Sequence, residues 1–304
     1  MSHVIFNLFL VTILTLFATF NINPFSVIQT QPVGDGDPNT PYTFSTEQDY
    51  LEYYNYANFS DPDDEWPNYS ISARKNVVKE DVADGYYVTL FKNKTAQIRG
   101  LTDPTQDVII PSEIEGYKVT AIYKIINYRM DENLDQTINS IKTVVIPSSV
   151  EYIMEDAFSD LINLKSVQFG GREKYMGLGA FSDCRNLTNI VLPDSLEAIP
   201  PAAFADCYGL TKLTIGKNVN SIGYNAFVDC FFLKSVTLPD SVVSLGQECF
   251  CWCKCLTYVY IPASAEAIDS SAFLQSNRVT IHGEAGSYAE TFAQQNGIPF
   301  VAGK

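Results

Sequence analysis

Residues 187–207 of this chain read LTNIVLPDSLEAIPPAAFADC, and the same pattern returns at a fixed interval along the sequence. Its most regular part is an Ala-Phe or Cys-Phe pair that recurs every 23 residues. Six copies keep this interval: Ala157-Phe158, Ala180-Phe181, Ala203-Phe204, Ala226-Phe227, Cys249-Phe250 and Ala272-Phe273. A fixed period of roughly 20–50 residues is typical of a solenoid, in which each unit buries its apolar face only against its neighbours. The sequence therefore predicts a repeat solenoid.

Each repeat carries the pattern of a short strand. Ile190 and Leu192 alternate with Val191, so the first two point inward and the third outward. Pro193 ends the strand, because proline lacks the N–H that a longer ladder needs. Phe204 then fills the interior of the turn. We expect the strands to form one continuous parallel β-sheet on the concave face, with short helical or extended turns on the other side.

These columns resemble the BspA-type branch of the leucine-rich repeat family. The string L-x-x-V-x-[LI]-P-x-S-[VL] begins at Leu233, and its continuation reaches the Cys-Phe pair and Cys253. The resemblance covers about residues 77–304, including degenerate leading units at Val108–Pro111, Val119–Ile122 and Ile141–Pro147. It departs from the common leucine-rich repeat consensus, whose Asn or Cys slot holds Ser or Asn here: Ser195, Asn218, Ser241 and Ser264. The resemblance implies adhesion to host or matrix proteins, or to neighbouring cells.

Composition divides the chain into four segments. Residues 1–30 are predicted to be a signal peptide or an uncleaved anchor, and residues 31–76 an acidic spacer rich in Pro and Tyr. Residues 77–285 are predicted to form the solenoid. Residues 286–304 read as a short helix and an extended piece that cap the last apolar layer.

The leader prediction depends on the apolar stretch Val4–Phe20. It is short for a membrane span, which needs roughly 20 apolar residues, and no clean cleavage site follows it. We favour a cleaved signal peptide, with the anchor as the alternative. The spacer is either a flexible acidic stalk or includes a short helix at Tyr50–Tyr56 that docks on the first repeat. A secreted or cell-surface location follows from the leader.

The charge of the chain disfavours two classes of partner. Its 304 residues include 35 acids and 20 bases, for a net charge of −15. Residues 1–73 contain no Lys or Arg. Nucleic-acid binding depends on Lys and Arg that neutralise phosphates. We therefore expect neither nucleic-acid binding nor direct binding to an anionic membrane.

The seven cysteines are better explained by packing than by chemistry. Cys184, Cys207, Cys230 and Cys253 share one column, where cysteine acts as a small buried hydrophobe. A disulfide between adjacent turns is the alternative, although side chains stacked in parallel seldom reach its geometry. Cys251 and Cys255 are the extra cysteines, and a single Cys run without a nearby histidine is weak evidence for zinc. We predict no metal site and no cofactor.

Catalysis finds little support in the sequence. His3 lies in the leader and His282 lies where the repeats end, so no Ser-His or Cys-His pair is indicated. We expect a non-enzymatic protein. Four sequons, at Asn58, Asn68, Asn93 and Asn186, are candidate N-glycosylation sites if the source cell glycosylates exported proteins.

The outward face of the strands is the predicted binding surface, since solenoids bind partners along such faces. Asn189, Lys212, Tyr258 and Tyr260 are the candidate ligand-binding residues. Adjacent tyrosines supply rigid contact area, although they can equally shield the last turns of the sheet. We predict a secreted or cell-surface binding or adhesion solenoid whose ligand is an extracellular protein or glycan. The alternatives are a structural cell-envelope module and an accessory domain of an exported hydrolase.

Overall fold

The computed structural model describes residues 77–103, 105–126 and 139–304. The predicted leader, the spacer and the sequons at Asn58 and Asn68 lie outside the described residues. In the described part, no helix has the length and apolarity of a membrane span. The strands and the C-terminal helix are β1 (Val77–Ala83), β2 (Tyr86–Phe91), β3 (Thr95–Leu101), β4 (Asp107–Ile109), β5 (Glu113–Ile114), β6 (Tyr117–Ile122), β7 (Thr143–Val145), β8 (Tyr152–Ile153), β9 (Ser166–Gln168), β10 (Tyr175–Met176), β11 (Asn189–Val191), β12 (Ala198–Ile199), β13 (Lys212–Thr214), β14 (Ser221–Ile222), β15 (Ser235–Thr237), β16 (Ser244–Leu245), β17 (Tyr258–Tyr260), β18 (Ala267–Ile268), β19 (Thr280–Gly283), α1 (Tyr288–Gln295) and β20 (Phe300–Ala302).

The predicted repeat solenoid is confirmed, with about eight turns and little helix. Each turn contributes one strand to each of two parallel columns. The first column runs β4-β7-β9-β11-β13 and continues beside β13 as β15-β17-β19-β20. The second column, on the other side of the turn, runs β6-β8-β10 and then β12-β14-β16-β18. Successive strands pair one repeat apart, as Ile190 does with Leu213.

The first column departs from the expected single continuous ladder, since its pairing is divided between β13 and β15. Gly216 follows β13 where Pro193 and Pro239 follow the equivalent strands. The backbone of Gly216 lies so close to the preceding repeat that an added Cβ would be 2.2 Å from the carbonyl oxygen of Pro193. Gly216 thus packs closely against the preceding repeat, on the side of β13 opposite to the interrupted pairing with β15.

The described chain begins with an antiparallel meander rather than with a repeat. Strands β1, β2 and β3 pair in sequence order, and β3 then pairs in parallel with β6. The turn between β1 and β2 is Asp84-Gly85, and both residues have positive φ. Two adjacent residues of positive φ are the requirement of a type I′ hairpin turn, and Asp-Gly is a preferred pair for it. The Asp-Gly pair is therefore a sequence signal for this hairpin.

A stack of phenylalanine rings runs through the core. The rings of successive repeats are 4.9 to 5.7 Å apart, and their planes differ by only 4 to 9°. The repeat distance of stacked β-structure, about 4.8 Å, brings equivalent rings into this contact. At the last turn, Phe292 of α1 packs edge-on against Phe273, with 6.2 Å between the ring centroids. The six stacked rings are Phe158, Phe181, Phe204, Phe227, Phe250 and Phe273.

The cysteine column is buried beside this stack, and each thiol also makes a hydrogen bond. The Cys207 thiol donates to the carbonyl oxygen of Phe181 in the preceding turn at 3.3 Å. Cys184, Cys230 and Cys253 repeat this bond at 3.2 to 3.3 Å. In the last repeat the Ser276 hydroxyl takes the place of the thiol and donates to Phe250 at 2.7 Å. The column thus holds a small donor that satisfies a buried carbonyl.

The thiols of the described chain are free. Of the two extra cysteines, Cys251 is only 1% exposed. Burial raises the pKa of its thiol to about 12, so the thiolate is scarce at neutral pH. Cys255 is the partly exposed one.

Two residues in left-handed conformation flank the Ala-Phe or Cys-Phe pair in five of the six turns, and one does so in the last. One column of such residues contains Asp160, Asp183, Asp206 and Asp229, with φ between 55° and 61°. Aspartate tolerates this conformation because its short side chain bonds locally. Stacking also brings these carboxylates close together. Burial, and next the carboxylate of Asp183, raises the pKa of Asp206 to about 6.

The C-terminal segment packs over the last turn. Helix α1 buries Ala289, Phe292 and Ala293, and β20 pairs in parallel with β19. The Glu290 carboxylate accepts a hydrogen bond from the backbone N–H of Gly286 at 2.7 Å, which holds the start of the helix.

The phenylalanine stack gives a stability prediction. Phe227 is fully buried between Phe204 and Phe250, so Phe227→Ala removes two ring contacts and leaves a cavity. We expect a loss of about 3–5 kcal/mol in the free energy of unfolding, measured by urea titration. The control is Phe232→Ala, since Phe232 is 50% exposed and should change stability by about 0.5 kcal/mol or less. A loss below about 1 kcal/mol for Phe227→Ala would contradict the stack as a source of stability.

The aspartate column gives a pH prediction. The pKa of Asp206 is raised from 3.8 to about 6, so its contribution to stability is complete below pH 3.8 and is lost as the pH rises through about 6. Asp206→Asn keeps the shape and removes the charge. At pH 7 the variant should be more stable than the wild type by about 1–2 kcal/mol. Urea titrations from acidic to neutral pH check this, with the exposed Asp240→Asn as control. Equal pH profiles for Asp206→Asn and wild type would exclude the half-buried Asp206 carboxylate as the cause of the pH dependence.

Candidate functional site

The structure brings three of the four predicted face residues into one column. Asn189 and Lys212 pair in register on neighbouring strands, and both are exposed. Tyr258 stands in the same column two repeats beyond Lys212, with Ser235 between them. These side chains form an outward polar stripe on the first strand column.

The two tyrosines do not form the paired platform that the sequence suggests. Tyr260 is only 7% exposed, and the Lys304 ammonium lies over its ring, 4.6 Å from the centroid. Tyr258 is half-buried and packs at a tilt of 33° against His282, with 4.3 Å between the ring centroids. The chain's own C-terminal residues therefore cover much of both rings, which agrees with a role in shielding the last turns.

The two described sequons lie at the surface. The Asn93 side-chain oxygen accepts from the backbone N–H of Thr95 at 3.2 Å and from its hydroxyl at 2.7 Å. The Asn186 side-chain amide donates to the carbonyl oxygen of Ile162 at 2.9 Å and to Asn163 at 3.0 Å. The side-chain amide of Asn186, the group to which a glycan attaches, is thus already bonded to the neighbouring turn.

An exposed apolar surface lies elsewhere, in the loops that follow the Ala-Phe pairs. These residues, named here the aromatic edge, expose 37 to 50% of their surface, which is unusual for large apolar side chains grouped on adjacent turns. The aromatic edge consists of Tyr208, Phe231, Phe232, Trp252 and Leu274.

Neighbouring turns hold the aromatic edge together. The rings of Phe231 and Phe232 meet edge-on with 5.0 Å between centroids, and the backbone N–H of Phe232 donates to Tyr208 at 3.3 Å. Trp252 in turn donates its backbone N–H to Leu274 at 3.0 Å. The edge is therefore fixed to the rigid stack of repeats rather than carried by a long loop.

Two cations border the aromatic edge. The Lys254 ammonium lies 3.9 Å from the centre of the Trp252 ring, and the Arg185 guanidinium lies 6.0 Å from that of Tyr208. Arg185 also bonds the Asp183 carboxylate at 2.8 Å. Such cations are attracted to the faces of the aromatic rings. They give the apolar aromatic edge a polar rim.

The aromatic edge could have been found in the sequence from residues that depart from the repeat pattern. Trp252 stands where the preceding four repeats carry aspartate, and it keeps the left-handed backbone of that column, with φ at 59°. Phe231-Phe232 replaces Arg185-Asn186 of an earlier repeat. These residues depart from the repeat consensus, and their side chains do not fill the core. An apolar residue at a position that is polar in other repeats therefore indicates an exposed apolar surface.

No metal-binding arrangement is evident in the described ranges, and the core cysteines there are not activated as nucleophiles. No group of three or more His, Cys, Asp or Glu side chains there is placed to hold a metal ion. His282 is engaged with the ring of Tyr258. Burial raises the pKa of the Cys207 and Cys230 thiols, the opposite of what a cysteine nucleophile requires.

Comparison with solved structures supports the fold. A leucine-rich repeat protein of T. pallidum is 23% identical, with a TM-score of 0.58, and the match covers 73% of this chain and 98% of that one. A leucine-rich repeat protein of Eubacterium ventriosum is 24% identical, with a TM-score of 0.53, and the match covers 67% of this chain and 50% of that one. No curated protein sequence matches this chain.

The sequence also matches a family description directly. The BspA type leucine-rich repeat region matches residues 131–253 and 174–288, with six copies. Together these ranges span more than half of the chain, and they contain all six stacked phenylalanines. This chain therefore belongs to the BspA-type leucine-rich repeat family.

Proposed function

We propose that this chain is an extracellular binding protein and that a partner protein docks on the aromatic edge. The observation that carries the proposal is the exposure of Phe231, Phe232 and Trp252 on adjacent turns of a rigid scaffold. Interfaces between proteins are centred on a few aromatic side chains that become fully buried, surrounded by a polar rim. The aromatic edge already has both exposed aromatic side chains and a rim of cations, Lys254 and Arg185, before any partner binds.

The backbone at Trp252 supports this choice of surface. A bulky residue with positive φ is a strained choice, and strain of this kind concentrates at functional sites. Trp252 is 46% exposed, so packing does not compensate for the strain. Its ring is available for contact, and Lys254 holds it at the surface.

The outward sheet stripe is a weaker candidate for the docking surface. Asn189 and Lys212 are small or flexible polar groups of the kind that any solvated strand face carries. Tyr260 has little free area beneath Lys304. A partner would gain less buried apolar area there than on the aromatic edge.

The extracellular location rests on the sequence. The apolar leader predicted at residues 1–30 precedes an acidic spacer, an order that fits export. Membership of a repeat family whose members serve as scaffolds is consistent with a non-enzymatic role. The partner is an extracellular protein. Such a partner agrees with the binding and adhesion role that the family resemblance implies.

The test compares two surfaces of the same chain. Extracellular proteins captured by the full chain are identified, and the affinity of the strongest is measured by biolayer interferometry. Phe231→Ser combined with Trp252→Ser should weaken binding by about 2 kcal/mol or more, because hot-spot aromatics each contribute on that scale. Both residues are exposed, so the thermal melting temperature should change little.

The matched control is Lys212→Ala combined with Tyr258→Ala on the outward sheet stripe. This pair should leave the affinity nearly unchanged. Loss of binding in the stripe variant, with normal binding in the edge variant, would move the site to the sheet face. Capture of only further copies of this chain would favour a structural cell-envelope module instead.

A further inference from the structure

A groove of about 520 Å³ crosses the outer face of the second strand column, away from the aromatic edge. It runs across β10, β12, β14, β16 and β18, along the axis of the solenoid. Tyr175 stands at one end, and Tyr288, which is 43% exposed, stands at the other. Its volume is in the range typical of ligand sites, roughly 300–1,000 Å³.

The groove exists because the outward residue of this column changes size. In β8 and β10 the outward residue is tyrosine. In the next four strands it is alanine or serine, so the surface is lowered over four turns. Parallel pairing places these residues side by side along the floor, which consists of Ala198, Ser221, Ser244 and Ala267.

Carboxylates border the groove on one side. Glu197 and Glu266 directly precede their strands, and both are exposed. Neither forms an ion pair with a cation among the described residues. Lys174 lies on the same side, but its ammonium is bonded to Glu151 at 2.8 Å. Asp269 lies on the opposite side and bonds the hydroxyl and backbone N–H of Ser271. The groove therefore offers unneutralised negative charge to a cationic ligand.

The spacing of the two glutamates defines what fits. Glu197 and Glu266 are three repeats apart, which is about 14 Å at about 4.8 Å per turn. An extended polypeptide advances about 3.4 Å per residue, so four residues cover the same distance. Side chains of an extended chain alternate, so residues i and i+4 point to the same side. A peptide lying in the groove would thus present residues i and i+4 to the two glutamates.

We propose that this groove binds an extended basic segment of a protein, with Lys or Arg at positions i and i+4 paired to Glu197 and Glu266. The serine and alanine floor gives the peptide backbone room to lie flat. Tyr175 and Tyr288 limit the segment at its two ends and offer aromatic faces to its side chains. This site is separate from the aromatic edge, and either can be present without the other.

The test uses fluorescein-labelled synthetic nonapeptides with a serine and threonine background, titrated with the full chain and followed by fluorescence anisotropy. One peptide has two lysines four residues apart, a second has them three apart, and a third has glutamines four apart. The first should bind about three- to fivefold more tightly than the second, because only the first presents both cations to one side. The third should bind more weakly than either. Raising the salt concentration should reduce the binding of the first peptide.

Variants locate the binding. Glu197→Gln combined with Glu266→Gln should remove the preference for the four-residue spacing, a change of about three- to fivefold. The control pair, Glu113→Gln with Asp240→Asn, makes the same charge change outside the groove and should keep the preference. Ser221→Tyr should block binding of all three peptides by filling the floor. Tyr152 and Tyr175 show that this column accepts tyrosine, so the melting temperature should be unchanged.

Three results would overturn the proposal. The first is equal affinity for the two dilysine peptides, or no binding of either. The second is an unchanged preference in the glutamate variant. The third is tighter binding of a neutral oligosaccharide such as cellohexaose. If Ser221→Tyr abolished that binding and Glu197→Gln with Glu266→Gln left it unchanged, the groove would be assigned to a glycan.

Discussion

The contact of one phenylalanine ring with the ring of the preceding turn is the interaction on which the other columns of this protein depend. Rings about 5 Å apart and nearly parallel fix the rise of each turn. The residue before each ring must then be small, because it faces the equivalent residue of the next turn. Alanine meets this requirement, and Cys249 replaces it once without disturbing the stack. The remaining constraints of the repeat follow from keeping the rings in register.

The turn around each ring also has to satisfy its backbone in a dry interior. The carbonyl oxygen of the phenylalanine is buried and receives a hydrogen bond from the thiol or hydroxyl of the next turn. An unsatisfied buried carbonyl would cost about 1–3 kcal/mol. This explains why serine replaces cysteine at Ser276, where alanine would fill the same volume but donate no bond. This position therefore requires a side chain that is small enough for the core and that can donate a hydrogen bond.

A repeat scaffold of this kind leaves recognition to the positions that do not follow the repeat. Trp252 occupies a left-handed position that aspartate fills elsewhere, and its side chain is exposed. Ser221 and Ser244 occupy an outward position that tyrosine fills in earlier turns, and they lower the surface into a groove. Neither change affects the buried stack. Each surface can thus vary while the core remains the same.

The sequence alone determined the period, the inward strand residues and the stacked phenylalanines, because a solenoid brings residues one repeat apart into direct contact. It also indicated that the cysteine column is buried. It did not show that Tyr260 lies beneath Lys304, since that contact depends on how the chain returns after the last repeat. Nor did it show that the loops after the Ala-Phe pairs carry the exposed aromatics. Exposure depends on which side of the turn each residue faces, and only the folded backbone decides that direction.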